Sequence, residues 1–286
     1  MSRDLGLVLE KAREITRAAA DKVQVLYLEY QAGASAGTES KGDDGPVTLA
    51  DHAANGIILA GLRAAFPTDA ILSEENPETW ITSGEWTWMV DPLDGTKEYL
   101  SVNGEFMVMV GLCHNGQPVV GVVVEPATGD ELYAAKGLGA WRQAPGAAEP
   151  VRLSVSQETD PSKLKLAVSR SHRSPRVETF EKLTGIEQEY TSGSVGRKIA
   201  LVTTGKADLY LHPSPGTKLW DACAPQVILE EAGGRFADAL GNPIRYARPD
   251  GDVRLDDGIL AASQSVFEQL VEASRQAWAI PVKSKK

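Results

Sequence analysis

Cysteine is nearly missing from this sequence. Cys113 and Cys223 are the only two among 286 residues, too few for a disulfide framework or a zinc quartet. That usage suits a reducing, cytoplasmic setting. Long apolar runs are missing as well. The runs at residues 56–62 and 119–124 fall far short of the roughly 18 residues that cross a bilayer, so no membrane association is expected. The first residues include Arg3, Asp4, Glu10, Lys11 and Arg13 and show no apolar core of the kind that directs export. Basic charge is in deficit, with 29 Lys and Arg against 39 Asp and Glu and a formal charge of −10. A nonspecific nucleic-acid coat needs a basic face, so no nucleic acid polymer is expected as a partner. No P-loop is present, and Gly137 and Gly139 mark a turn rather than a dinucleotide fingerprint. With 42% hydrophobic residues, disorder is excluded too.

What is present reads as an ordinary globular chain of mixed α and β elements. Apolar residues at Leu5, Leu9, Ala12, Ile15 and Ala19 recur at helical spacing and predict a helix over residues 5–30. A Gly/Ser/Asp-rich loop follows at residues 33–45, then a second helix from Asp51 to a stop at Pro67. Strands are expected at residues 70–73, 87–90, 106–113, 118–124 and 130–135, with a hairpin across Asn115-Gly116. Residues 143–150, rich in Ala, Pro and Gly, mark a border that divides the chain into 1–145 and 146–286. Beyond it, strands are expected at 164–169, 208–212 and 258–262, and helices at 194–204, 221–232 and 265–277. Pro225 falls in the first turn of the expected 221–232 helix. Residues 283–286 read as a solvated tail.

Chemistry concentrates in Trp88-Met89-Val90-Asp91-Pro92-Leu93-Asp94-Gly95-Thr96. Two aspartates stand where an apolar strand breaks into a turn. Pro92 fixes one backbone angle and Gly95 permits an unusual one. Rigid placement of carboxylates suits Mg²⁺, which demands near-octahedral oxygen ligation. Alone, such a stretch is ordinary turn punctuation. It is not alone: Glu74 and Glu75 follow one apolar run, Asp51 follows another, and Asp221 follows Trp220. Asp51 and Asp221 also suit plain N-terminal helix acids; together the four segments predict a carboxylate cluster. Gly95 and Thr96, opening a helix, offer backbone N–H groups to a phosphate. Two metals about 4 Å apart would then clamp the oxygens of an in-line displacement, with Thr96 orienting the water.

With Leu72-Ser73-Glu74-Glu75, Asp91-Pro92-Leu93-Asp94-Gly95-Thr96 and Trp220-Asp221-Ala222 in this order, the sequence resembles the Mg²⁺-dependent, lithium-sensitive phosphomonoesterases of the inositol monophosphatase family. The resemblance spans residues 12–262 and implies the layered αβαβα sandwich shared with fructose-1,6-bisphosphatase, commonly dimeric. Four passages make it most similar to the bacterial 3′(2′),5′-bisphosphate nucleotidases, which belong to sulfur metabolism. They are Pro46-Val47-Thr48-Leu49-Ala50-Asp51, Asp94-Gly95-Thr96-Lys97-Glu98-Tyr99, Asn103-Gly104-Glu105-Phe106 and Ser169-Arg170-Ser171-His172. The resemblance implies two or three Mg²⁺ held by Glu74, Asp91, the Leu93 carbonyl, Asp94 and Asp221. It makes Thr96, with Asp51 or Glu74, the group that activates water. Gly95 and Thr96 would hold the phosphate, and Ser169, Arg170, His172 and Lys198 would lie near the nucleotide. The implied substrate is 3′-phosphoadenosine 5′-phosphate, a small phosphorylated molecule, converted to AMP.

The chain departs from that pattern with Val195-Gly196-Arg197 before Lys198, where Gly-Ser-Ser is usual, and with one extra residue in segment 212–219. Both departures fall on the substrate side. An inositol or sugar phosphate substrate keeps the same chemistry. A non-catalytic nucleotide- or metal-sensing module is the reading from another class, and the complete set of acids argues against it. Four histidines, His52, His114, His172 and His212, show no ligand spacing, and only His172 sits in a basic cluster. Ser194 reads as a helix N-cap, Cys223 as a small packing residue, and Trp80, Trp86, Trp88, Trp141 and Trp220 as packing.

Overall fold

A computed structural model describes residues 3–42, 45–76, 84–170, 173–248 and 250–280. The first helix, α1 (Leu5–Gln31), starts where the Asp4 carboxylate accepts from the N–H groups of Gly6 and Leu7. Its apolar stripe buries Leu9, Ala12, Ile15, Ala19 and Val23. A short hairpin of β1 (Glu39–Ser40) and β2 (Pro46–Val47) leads to α2 (Leu49–Ala65), capped by Thr48. Both helices cover one face of a seven-stranded sheet. That sheet runs in chain order through β3 (Ala70–Ser73), β4 (Trp86–Asp94), β5 (Met107–His114), β6 (Gln117–Glu125), β7 (Asp130–Ala135), β8 (Gly139–Gln143) and β9 (Val151–Arg152). Only β3 and β4 run parallel; the rest is an antiparallel meander. The hairpin at Asn115-Gly116 is present, and both residues take positive φ, 49° and 72°.

Strand β4 runs further than residue 90. It continues to Asp94 because its pairing with β5 slips by one residue between Asp91 and Asp94. Pro92, which has no N–H to give the ladder, lies inside that bulge. The short α3 (Thr96–Leu100) leaves from Gly95, whose φ of 103° favours glycine.

The second half supplies β10 (Lys165–Ser169), α4 (Pro175–Thr184), β11 (Gln188–Ser192), α5 (Val195–Thr203), β12 (Leu209–His212), β13 (Thr217–Lys218), α6 (Leu219–Glu231), β14 (Gly234–Ala237), β15 (Arg254–Leu255), β16 (Ile259–Ser263) and α7 (Phe267–Trp278). A second sheet orders its strands β11-β10-β12-β16-β14. Helices α5 and α6 lie between the two sheets, and α4 and α7 cover the far face. The layering is therefore αβαβα, as the resemblance implied. The chain leaves the first sheet at Arg152, after the border region at 143–150.

Close approach of α6 to the first sheet depends on glycine. A Cβ on Gly121 would stand 2.4 Å from the Ala224 carbonyl oxygen, and one on Gly111 would stand 2.6 Å from Cys223 Sγ. Helix α6 starts at Leu219, two residues before Asp221, so Pro225 sits inside the helix rather than in its first turn. A proline there cannot donate to the Asp221 carbonyl four residues back. Trp88 and Trp220 are core residues; Trp80 and residues 283–286 lie outside the described residues. Among the described residues no helix is long and apolar enough to cross a membrane.

Candidate active site

The bulged end of β4 opens into a cleft of about 280 Å³. Glu74, Asp91, Leu93, Asp94, Gly95, Thr96 and Asp221 line it together with Ser169 and Lys198. Each acid is aimed by its own element. Glu74 follows β3, with its N–H donating to the Val90 carbonyl at 3.1 Å. Asp91 accepts from the Leu93 N–H at 3.0 Å inside the bulge. Asp221 occupies the third position of α6 and accepts from the Lys218 N–H at 2.7 Å. Asp51 sits just behind, at the third position of α2, in a capping box with Thr48. The Thr96 hydroxyl donates to Asp51 Oδ1 at 3.0 Å and lies 3.3 Å from the Leu93 carbonyl oxygen.

Electrostatically this is a crowd of like charges out of water. Burial pushes the Asp91 carboxyl far above its ordinary range, and the neighbouring charges of Glu74, Asp94 and Asp221 push the same way. Burial, with Asp94 and Glu74, raises Asp221 to about 8. Glu74 and Asp51 are raised chiefly by burial as well. Asp91 stands close enough to both Glu74 and Asp221 for its carboxyl to share a proton with either. Lys41 is paired with Glu74 and Glu75 at the rim. Among the described residues no three acidic, imidazole or thiol groups already close into a metal shell. The donor set is nonetheless all oxygen and rich in carboxylate, which suits a hard divalent cation. A divalent cation replacing the shared protons would draw the set together.

Asp94 has a second attachment. Its carboxylate accepts from the Ser194 hydroxyl at 2.5 Å, the Val195 N–H at 3.1 Å and the Gly196 N–H at 2.7 Å. It therefore caps α5 from the opposite half of the molecule. Ser194 also caps its own helix through the Arg197 N–H, as expected, and adopts a φ of 44° to do so. Lys198 is buried, and its ammonium donates to the Gly193 and Ser194 carbonyls at 2.8 and 2.5 Å. Burial pushes it down to about 8.

The substrate-side residues divide. Ser169 and Lys198 line the cleft. Arg170 does not line it; its guanidinium is bound by the Glu105 carboxylate at 2.8 Å. His172 lies outside the described residues. Tyr210, His212 and Thr217 line the cleft without a local signal in the sequence, and Glu98, from the passage at residues 94–99 that carries the resemblance, joins them. His212 ends β12 and lines the cleft together with Ser214 and Gly216 from the loop that follows, within the segment 212–219 that carries the extra residue.

With that geometry in hand, the chain belongs to the inositol monophosphatase family, which matches residues 7–279. Members of this family are metal-dependent phosphatases. Among individual relatives, the chain is similar to the Salmonella typhimurium 3′(2′),5′-bisphosphate nucleotidase CysQ, 36% identical over 246 residues that cover 84% of this chain and 94% of the relative. It is also similar to mouse 3′(2′),5′-bisphosphate nucleotidase 1, 28% identical, with 75% of this chain and 78% of the relative covered. Among solved structures, an inositol monophosphatase from Anabaena superimposes with a TM-score of 0.72 at 29% identity, covering 98% of both chains.

Proposed function

We propose that this chain is a Mg²⁺-dependent 3′(2′),5′-bisphosphate nucleotidase that hydrolyses the 3′-phosphate of 3′-phosphoadenosine 5′-phosphate, giving AMP and phosphate, in the cytoplasm. The observation that carries the reading is the convergence of Glu74, Asp91, Asp94 and Asp221 on one buried point of a cleft. The identity with the Salmonella nucleotidase along most of the chain supports the choice of substrate. Glu74, Asp91, Asp94, Asp221 and the Leu93 carbonyl would hold two or three Mg²⁺, which supply Lewis acidity and neutralise the phosphate charge. The N–H groups of Gly95 and Thr96 hold the phosphate where α3 begins. Thr96 gives its own proton to Asp51, so its lone pairs are free to accept from the attacking water and orient it. Asp51 or Glu74 takes the proton released, and burial raises both carboxyl groups toward the range of a useful base.

An inositol or sugar phosphate substrate would use the same acids, and the superposition on the Anabaena enzyme favours keeping it in the comparison. Phosphate release from adenosine 3′,5′-bisphosphate, inositol 1-phosphate and fructose 1,6-bisphosphate, measured side by side, separates the readings. The expected kcat/KM for the adenosine compound is at least about tenfold above the others, a difference of about 1.4 kcal/mol in transition-state binding. A preference for inositol or fructose phosphate would move the assignment to that substrate.

A further inference from the structure

Two hydroxyls in the cleft wall take no part in the chemistry above. Tyr210, on β12, is wholly buried and Thr217, on β13, is 5% exposed. Both line the cleft. Neither the Tyr210 Oη nor the Thr217 Oγ1 has a hydrogen-bond partner among the described residues. Burying a hydroxyl without a partner is costly, and two in one wall call for a ligand that satisfies them. The Lys198 ammonium stands 5.1 Å from the centre of the Tyr210 ring, so this part of the wall carries one cation and two neutral hydroxyls. Burial, with Asp94 and Asp221 nearby, pushes the Tyr210 phenol well above its ordinary range. It therefore stays protonated and donates without adding negative charge. Both residues belong to the second half of the chain, whereas Glu74, Asp91, Asp94 and Thr96 come from the first.

We propose that the Tyr210 and Thr217 hydroxyls donate hydrogen bonds to oxygen atoms on the part of the substrate that is not hydrolysed, and so set specificity. This rests on the phosphomonoesterase reading. A second phosphate or a sugar hydroxyl can each supply such an oxygen. A site built around hydroxyl donors discriminates strongly against analogues that leave them unmatched.

Tyr210→Phe and Thr217→Val keep the shape and remove the donors. Each is expected to lower kcat/KM for adenosine 3′,5′-bisphosphate about five- to tenfold, carried by KM. The ligand-free melting temperature should hold or rise, because Phe and Val bury no orphan oxygen, and Thr217→Ser should restore KM. Adenosine 3′-phosphate, which lacks the second phosphate, distinguishes the two sources. A KM effect confined to the bisphosphate identifies the second phosphate; an effect on both compounds identifies a nucleoside oxygen. The proposal is overturned by unchanged KM with every substrate the wild type hydrolyses, or by a fall in kcat alone. Wild-type protein that releases phosphate from none of the compounds overturns the phosphatase reading itself, and this proposal with it.

Discussion

Asp91→Asn is expected to abolish phosphate release, by about a thousandfold or more, while leaving a folded protein. The substitution keeps the side chain's shape and its acceptor for the Leu93 N–H. It removes the charge of a carboxyl group that interacts with both Glu74 and Asp221. Its second consequence has the opposite sign. In metal-free protein burial and three neighbouring acids hold Asp91 protonated, whereas an unfolded aspartate is ionised at neutral pH, and the amide removes the cost of that difference. The metal-free melting temperature should therefore rise, by about 2–4 °C for each kcal/mol relieved. Phosphate assays and thermal denaturation of the same preparation check both halves. Retained turnover would remove Asp91 from the chemistry, and a lowered metal-free melting point would mean that its charge is already compensated.

The stability of the metal-free protein should fall as pH rises from about 5 to about 8. Asp221 has a folded value of about 8 against about 3.9 for an unfolded aspartate. Between those values the folded state binds more protons than the unfolded state, so raising the pH favours unfolding. Asp91 and Glu74 are raised too and act in the same direction. Lys198, lowered to about 8, works the other way only between about 8 and its unfolded value near 10.4. It does not cancel the acids in the neutral range. Mg²⁺ should reverse the trend, because its binding displaces the shared protons and becomes tighter as pH rises. Melting curves at pH 5.5 and 8, with chelator and with Mg²⁺, show this as a larger metal-induced shift at pH 8. An equal shift at both values would mean that the acids are already ionised without metal.

The acidic side of the cleft was legible in the sequence for a local reason. Each acid lies at the exit of an apolar run, and Pro92 and Gly95 mark the break itself. The bulge was not legible, because Asp91-Pro92-Leu93-Asp94 looks like a turn until β5 is seen to pair across it. In the second half, α4 buries only Val177 and Phe180, and β11 is mostly outside the core. Neither shows the periodicity that identifies an element. β14 is four residues beginning with glycine. Contacts between distant segments left no sequence trace at all. The capping of α5 by Asp94 spans 100 residues, and Glu105 holds Arg170 across 65. Tyr210 and Thr217 are single residues whose importance depends on the partners they lack.

The central claim is that these acids hold Mg²⁺ for hydrolysis of a phosphate monoester. It is tested most directly by titrating Mg²⁺ into metal-stripped protein while following both metal binding and phosphate release from adenosine 3′,5′-bisphosphate. The account predicts no release in chelator, release that rises with occupancy of the site, and AMP as the product. Mg²⁺ binding without phosphate release, or release undiminished by chelator, would contradict it.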